Sequence, residues 1–96
     1  MARTRQGDSA LLLAAAGGHA ETAEALLARK PELDVQNAAG DTALMAAARG
    51  GHEALCRTLA GAGANRSLRN KSRTSAGDIA EQRGFAGIRA LLGGRG

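Results

Sequence analysis

Ser9, Thr42 and Ser75 lie 33 residues apart, and so do Gly18, Gly51 and Gly84. A fixed step of this size is the signature of an array of small stacked units. The fullest copy is residues 40–52, Gly-Asp-Thr-Ala-Leu-Met-Ala-Ala-Ala-Arg-Gly-Gly-His. Residues 7–19 repeat it as Gly-Asp-Ser-Ala-Leu-Leu-Leu-Ala-Ala-Ala-Gly-Gly-His. Residues 73–85, Arg-Thr-Ser-Ala-Gly-Asp-Ile-Ala-Glu-Gln-Arg-Gly-Phe, are a worn third copy. Each copy reads as a turn, a capped short helix, a glycine break and the start of a second helix.

The hydroxyl residues are good N-caps for helices over about 10–16 and 43–49, with a third near 76–83. Partner helices are expected over Ala20 to Arg29, Glu53 to Ala60 and near 86–92. Lys30-Pro31 stops the first of these, and Gly63 supplies a C-cap glycine after the second. Leu33 to Asn37 reads as a short extended run, and Asn37-Ala38-Ala39-Gly40 as a turn. The unit is helix, break, antiparallel helix and loop, three times over, with repeats at about 4–36, 37–69 and 70–93. The same step aligns core positions: Thr22, Leu55 and Ile88, then Leu26, Leu59 and Leu92. Composition agrees. The 96 residues include one Phe, no Trp and no Tyr, too few large side chains for one thick core. Ala-lined helices can instead stack closely, and Ala has the best helix propensity. The expectation is a single all-α domain spanning residues 1–96.

On these residues the chain resembles the ankyrin repeat. Asn37-Ala38-Ala39-Gly40-Asp41-Thr42 stands for its turn and Ala43-Leu44-Met45-Ala46-Ala47 for its Pro-Leu-His-x-Ala. Gly18-His19 and Gly51-His52 match its helix break, Leu26-Leu27 and Leu91-Leu92 its second helix, and Gly63-Ala64-Asn65 its end. The resemblance implies an ankyrin-type helix-turn-helix solenoid with connecting β-turn or hairpin loops. It also implies a concave protein-binding face of loop tips and first helices. Carried over by position, that face comprises Arg5, Gln6, Asp8, Leu12, Ala38, Ala39, Asp41, Met45, Arg49, Lys71, Ser72 and Thr74. The motif His is replaced by Leu12, Met45 and Asp78. Leu12 and Met45 are therefore either apolar anchors for a partner or fillers of the gap left by that His. Lys30 replaces a C-cap Gly. Arg73 replaces the turn Gly, which predicts an irregular last hairpin. Gly77 replaces a core Leu, so the third repeat is expected to be the loosest.

No catalytic or cofactor signature is present. His19 and His52 have no ligand partners at metal spacing and read as closing the helix–helix turn. Cys56, the single cysteine, reads as an inert buried thiol, and it excludes a disulfide within the chain. No phosphate-binding glycine loop occurs. The expected molecule is a soluble intracellular protein, cytoplasmic or nuclear, without a membrane span and without enzymatic activity.

The formal charge of +4 is unevenly spread. Residues 1–56 carry 5 basic against 7 acidic side chains, and residues 57–96 carry 8 against 2. The basic stretch Arg66, Arg69, Lys71 and Arg73 points to an acidic or phosphorylated partner. Nucleic acid is disfavoured, because no aromatic residue stands nearby for base stacking. A structural role, as a subunit or a fragment of a longer array, is the third alternative. Phe85, Ile88, Leu91 and Leu92 crowd the last helix with no polar helix after them. That predicts an exposed apolar end and self-association through it.

Overall fold

The computed structural model describes residues 10–29 and 32–92. These residues form six helices and no strand: α1 (Ala10–Gly17), α2 (Ala20–Leu27), α3 (Ala43–Gly50), α4 (Glu53–Gly61), α5 (Ala76–Arg83) and α6 (Ala86–Leu92). The first helices of the three units pack side by side, α1 on α3 and α3 on α5. The second helices form a parallel layer, α2 on α4 and α4 on α6, and each unit closes on its own helix pair. The fold class read from the 33-residue step is the one observed.

Local chemistry fixes each corner. Thr42, extended at φ −99° and ψ 172°, accepts from the Met45 N–H at 3.3 Å and starts α3. Ser75 does the same for α5, and the Asp78 carboxylate accepts in return from the Ser75 N–H at 3.2 Å, completing a capping box. The breaks are Schellman turns. Gly51 donates to Ala48 O and His52 to Ala47 O, with the same pairs at Gly18–His19 and Gly84–Phe85. Gly18 (φ 73°) and Gly51 (φ 75°) sit in the left-handed region and also lie tight against the next unit. A Cβ on Gly18 would come within 2.6 Å of the His52 ring, and one on Gly51 within 3.0 Å of Phe85. The His52 and Phe85 rings thus pack on the break of the preceding unit, and the His19 and His52 rings also lie against Gly17 and Gly50 in their own breaks, as the turn-closing reading has it.

Alanine makes the stack thin. Ala43, Leu44, Met45, Ala46, Ala47 and Ala48 are all buried, so α3 shows almost no surface between α1, α5 and α4. Ala15, Ala23, Ala47, Ala48 and Ala80 are wholly inaccessible, together with Cys56 and Leu59. Methyl-sized contacts let helix axes approach closely, and close packing supplies the dispersion a larger core would otherwise give.

The two ends of the stack differ. Positions facing the following unit are buried in the first two repeats: Leu12 and Met45, Ala15 and Ala48, Ala23 and Cys56. The third repeat has Asp78, Glu81 and Arg89 there, and Glu81 pairs with Arg89 at 2.9 Å across α5 and α6. Ile88 and Leu92 are buried, and Phe85 and Leu91 are packed against the core. Among the described residues the expected exposed apolar C-terminal end is therefore not found. The apolar side chains of α6 turn back onto the second repeat, and polar ones face outward. At the other end Leu13 is 47% exposed, whereas its equivalents Ala46 and Ile79 are 7% and 3% exposed. Thr22 is likewise exposed where Leu55 and Ile88 are buried, so it is not a core residue.

The last hairpin is regular, against expectation. Arg73 adopts φ 62°, the conformation Gly40 takes at φ 83° in the second repeat, and the turn closes with the same bonds. Asn70 donates to Thr74 O and Arg73 to Asn70 O, as Asn37 donates to Asp41 O and Gly40 to Asn37 O. The surrounding bonds hold a non-glycine residue in the left-handed region at a cost of about 1 kcal/mol. Arg73→Gly is expected to raise the unfolding free energy by up to about 0.5 kcal/mol in urea titrations, since glycine's extra unfolded entropy offsets much of the relief. A lowered midpoint would refute the strain. Lys30 lies outside the described residues, as does the predicted helix stop at Lys30-Pro31; α2 itself ends at Leu27 with Ala28 as its cap.

Candidate interaction face

The two loop tips are built alike. Asn37 Oδ1 accepts from the Ala39 and Asp41 N–H groups at 2.9 and 3.0 Å. Asn70 Oδ1 accepts from those of Ser72 and Thr74 at 2.9 and 3.0 Å. An Asn side chain that satisfies two turn amides holds a loop without neighbours. The tips are also tied to each other. Lys71 N–H donates to Ala39 O at 3.0 Å. The Gln36 amide donates to Gly40 O at 2.8 Å and to Arg69 O at 3.0 Å. Asn70 Nδ2 reaches Asp41 Oδ1 at 2.9 Å. Ala38, Ala39, Lys71, Ser72 and Arg73 are exposed on this braced edge, and Thr74 is half-buried.

Asp41 is the hub beneath the tips. Only 7% of it is exposed, and its two oxygens take Arg49 Nη1 at 2.9 Å and Arg49 Nη2 at 3.2 Å. Burial pushes its carboxyl up, but the hydrogen bonds from Arg49 and Asn70 and the guanidinium charge outweigh that. The net effect holds the group below the usual carboxylate value. Asp41 is therefore a brace joining the second loop, the third loop and the end of α3, and its carboxylate is already occupied. Arg49, with a side chain 37% exposed, is the part of the pair that meets solvent.

Leu12 and Met45 are 5% and 1% exposed. Neither offers an apolar surface, and the anchor reading of these two residues is corrected. They fill the space between successive first helices. Asp8, Arg5 and Gln6 fall outside the described residues. The basic stretch divides. Arg66 Nη1 donates to Leu91 O at 3.3 Å, at the carbonyl end of α6. Arg69, Lys71 and Arg73 remain on the tip loop, with no ion-pair or hydrogen-bond partner for their side chains among the described residues.

Three contributors to this face were not assigned to it from the sequence. Gln36 and Asn70 bind the tips together, and Gln82, one step of 33 from Arg49, is exposed on α5. The register that aligned Ser9 with Thr42 already contained that last signal. Elsewhere Cys56 is wholly buried, and burial, helped by the Glu53 charge, pushes its thiol up to about 11. It is protonated at neutral pH and no nucleophile.

A family model for ankyrin repeats, in three copies, matches residues 2–93. The chain belongs to the ankyrin repeat family. No curated protein matches it. Ankyrin repeats are generally protein–protein interaction modules and typically non-catalytic. No helix among the described residues is long and apolar enough to cross a membrane.

Proposed function

We propose that this ankyrin-repeat chain is a non-catalytic binding module that takes a partner protein on the edge formed by its second and third loop tips and the adjoining ends of α3 and α5. Ala38, Ala39, Lys71, Ser72 and Thr74 are the tip contacts, and Arg49 and Gln82 the helix contacts. The observation that carries this reading is the cross-bracing of the tips by Gln36, Asn70 and the Lys71–Ala39 backbone bond. A surface already ordered loses little freedom on binding, which leaves more of the contact energy as affinity. Asp41 supports the face from beneath and makes no direct contact.

The test is a partner recovered by pull-down and titrated into isotope-labelled protein. Ala39→Trp and Ser72→Trp are expected to weaken it at least about tenfold, equivalent to about 1.4 kcal/mol. Glu24→Ala, on the second-helix side, should leave it unchanged. The reverse pattern would move the site to that side.

A further inference from the structure

Between the two tips runs a groove of about 340 Å³, lined by Gln36, Asn37, Gly40, Arg69, Asn70 and Lys71. Its floor is backbone. Gly40 lies so close to the third loop that a Cβ there would come within 2.8 Å of the Lys71 nitrogen. The main-chain groups of the floor are already bonded to one another and to Gln36, so a segment laid along the groove meets the polar and cationic side chains of its rim.

The charge around the groove is one-sided. Among the described residues the side chains of Arg69, Lys71 and Arg73 are exposed and without an ion pair, whereas the following carboxylates each accept a hydrogen bond. Asp41 is taken by Arg49 and Asn70, Asp78 by the Ser75 N–H, Glu81 by Arg89, and Asp34 by the Asn65 N–H at 2.8 Å. Among the described residues no carboxylate is ion-paired with a tip cation, and Asp78, which lines a shallow depression with Arg73, accepts from a backbone N–H. The strained backbone adds an independent sign. Arg73 occupies a left-handed position that its equivalent in the second repeat fills with glycine. A residue held in a costly conformation where a free one exists is a pointer to use.

We propose that this groove binds an extended anionic polypeptide segment, with carboxylate or phosphoserine groups met by Arg69 and Lys71 in its lining and by Arg73 just beyond it on the same loop. The proposal rests on the reading of this edge as the protein-binding face and gives its partner a chemistry. Nucleic acid is the poorer occupant. The only aromatic residue, Phe85, is half-buried against Gly51 and leaves no platform for bases.

The experiment titrates four probes into isotope-labelled protein: an octapeptide alternating Glu and Ser, its phosphoserine–Gly counterpart, its Gln–Ser counterpart, and octathymidylate. Either anionic peptide is expected to give saturable amide shifts confined to 36–41 and 69–74, at about 1 mM or below in low salt. The tighter of the two identifies the anion source, and the Gln peptide should shift nothing. Arg69→Gln with Lys71→Gln should weaken the anionic peptide about five- to tenfold. Arg73→Gly should weaken it about two- to fourfold while raising Tm by a few degrees. Opposite signs in those two readouts are what a purely structural Arg73 would not produce. Equal shifts with the Gln peptide, shifts scattered over all basic residues, or tighter binding of octathymidylate at the tips would overturn the proposal. Silent peptides combined with tip-dependent binding of the recovered partner would defeat the anionic chemistry alone. A partner insensitive to the tip substitutions would defeat the binding face itself.

Discussion

Met45→Glu is expected to unfold the chain at neutral pH, not to silence one of its faces. Met45 is 1% exposed and sits in α3, whose buried residues run from Ala43 to Ala48. A glutamate there must either hold an unpaired charge among methyl groups or take up a proton. Burial in apolar surroundings commonly costs several kcal/mol by either route. A domain of this size holds about 5–14 kcal/mol in total, so most of that margin goes. The loss also strikes a helix packed on both sides, because among the described residues α3 lies between α1 and α5. Far-ultraviolet circular dichroism at 25 °C should show a helix signal largely lost, with no cooperative thermal transition. Met45→Leu, which keeps the volume, should cost under about 1.5 kcal/mol and serves as the control. A Met45→Glu protein melting within a few degrees of the parent would mean that this side chain reaches solvent, and the anchor reading would return.

That single position marks where the sequence was legible and where it was not. The 33-residue step carries the fold, because caps, breaks and core alanines are local choices that recur in register. Thr42, Ser75, Gly51 and Gly84 do in the structure what their residue types permit and little else. The face was harder. Met45 stands at a position the repeat motif gives to a histidine, and local chemistry does not reveal whether its side chain lies between layers or outside them. Asp41 reads as a variable letter of the motif, yet it is bound by Arg49 eight residues away and Asn70 twenty-nine away. Neither spacing is helical, so only the folded loop brings them together. At the C-terminal end, the number of apolar residues along α6 says nothing of the direction they face, and Phe85, Ile88, Leu91 and Leu92 face the core. The information was present in the register: Asp78, Glu81 and Arg89 replace Leu12, Ala15 and Ala23 at the positions that face a following unit. Arg73 shows the limit of motif logic in another way. A missing glycine does not abolish a turn when Asn70 and Thr74 supply enough bonds to hold the conformation, and the result is strain in a regular hairpin.

The second large effect belongs to the brace. Asp41→Ala should destabilise by about 2–3 kcal/mol, as expected for a charged acceptor removed from three donors beneath the surface. The bidentate grip on Arg49 and the link to Asn70 go together, so the second and third loops lose a shared anchor. Arg49→Ala should cost less, because its side chain is more than a third exposed and water screens the charge it leaves behind. A double-mutant cycle on the pair should return a coupling near 1 kcal/mol. The pH dependence has a definite sign. Asp41 is held below its ordinary value in the folded chain, so the folded state binds fewer protons than the unfolded one. Its contribution is therefore complete above the unfolded carboxylate range and declines as pH falls through the folded value. Urea midpoints measured from pH 6 down to pH 2.5 should fall more steeply for the parent than for Asp41→Asn, with the two curves converging at the acid end. Parallel curves would show that the carboxylate is not stabilised by folding. Loss of amide protection on Lys71 and Ser72 in Asp41→Ala, with α1 and α2 unaffected, would place the damage at the junction the brace spans. Uniform loss across the chain would instead make the three repeats one cooperative unit whose loop tips are not separately held.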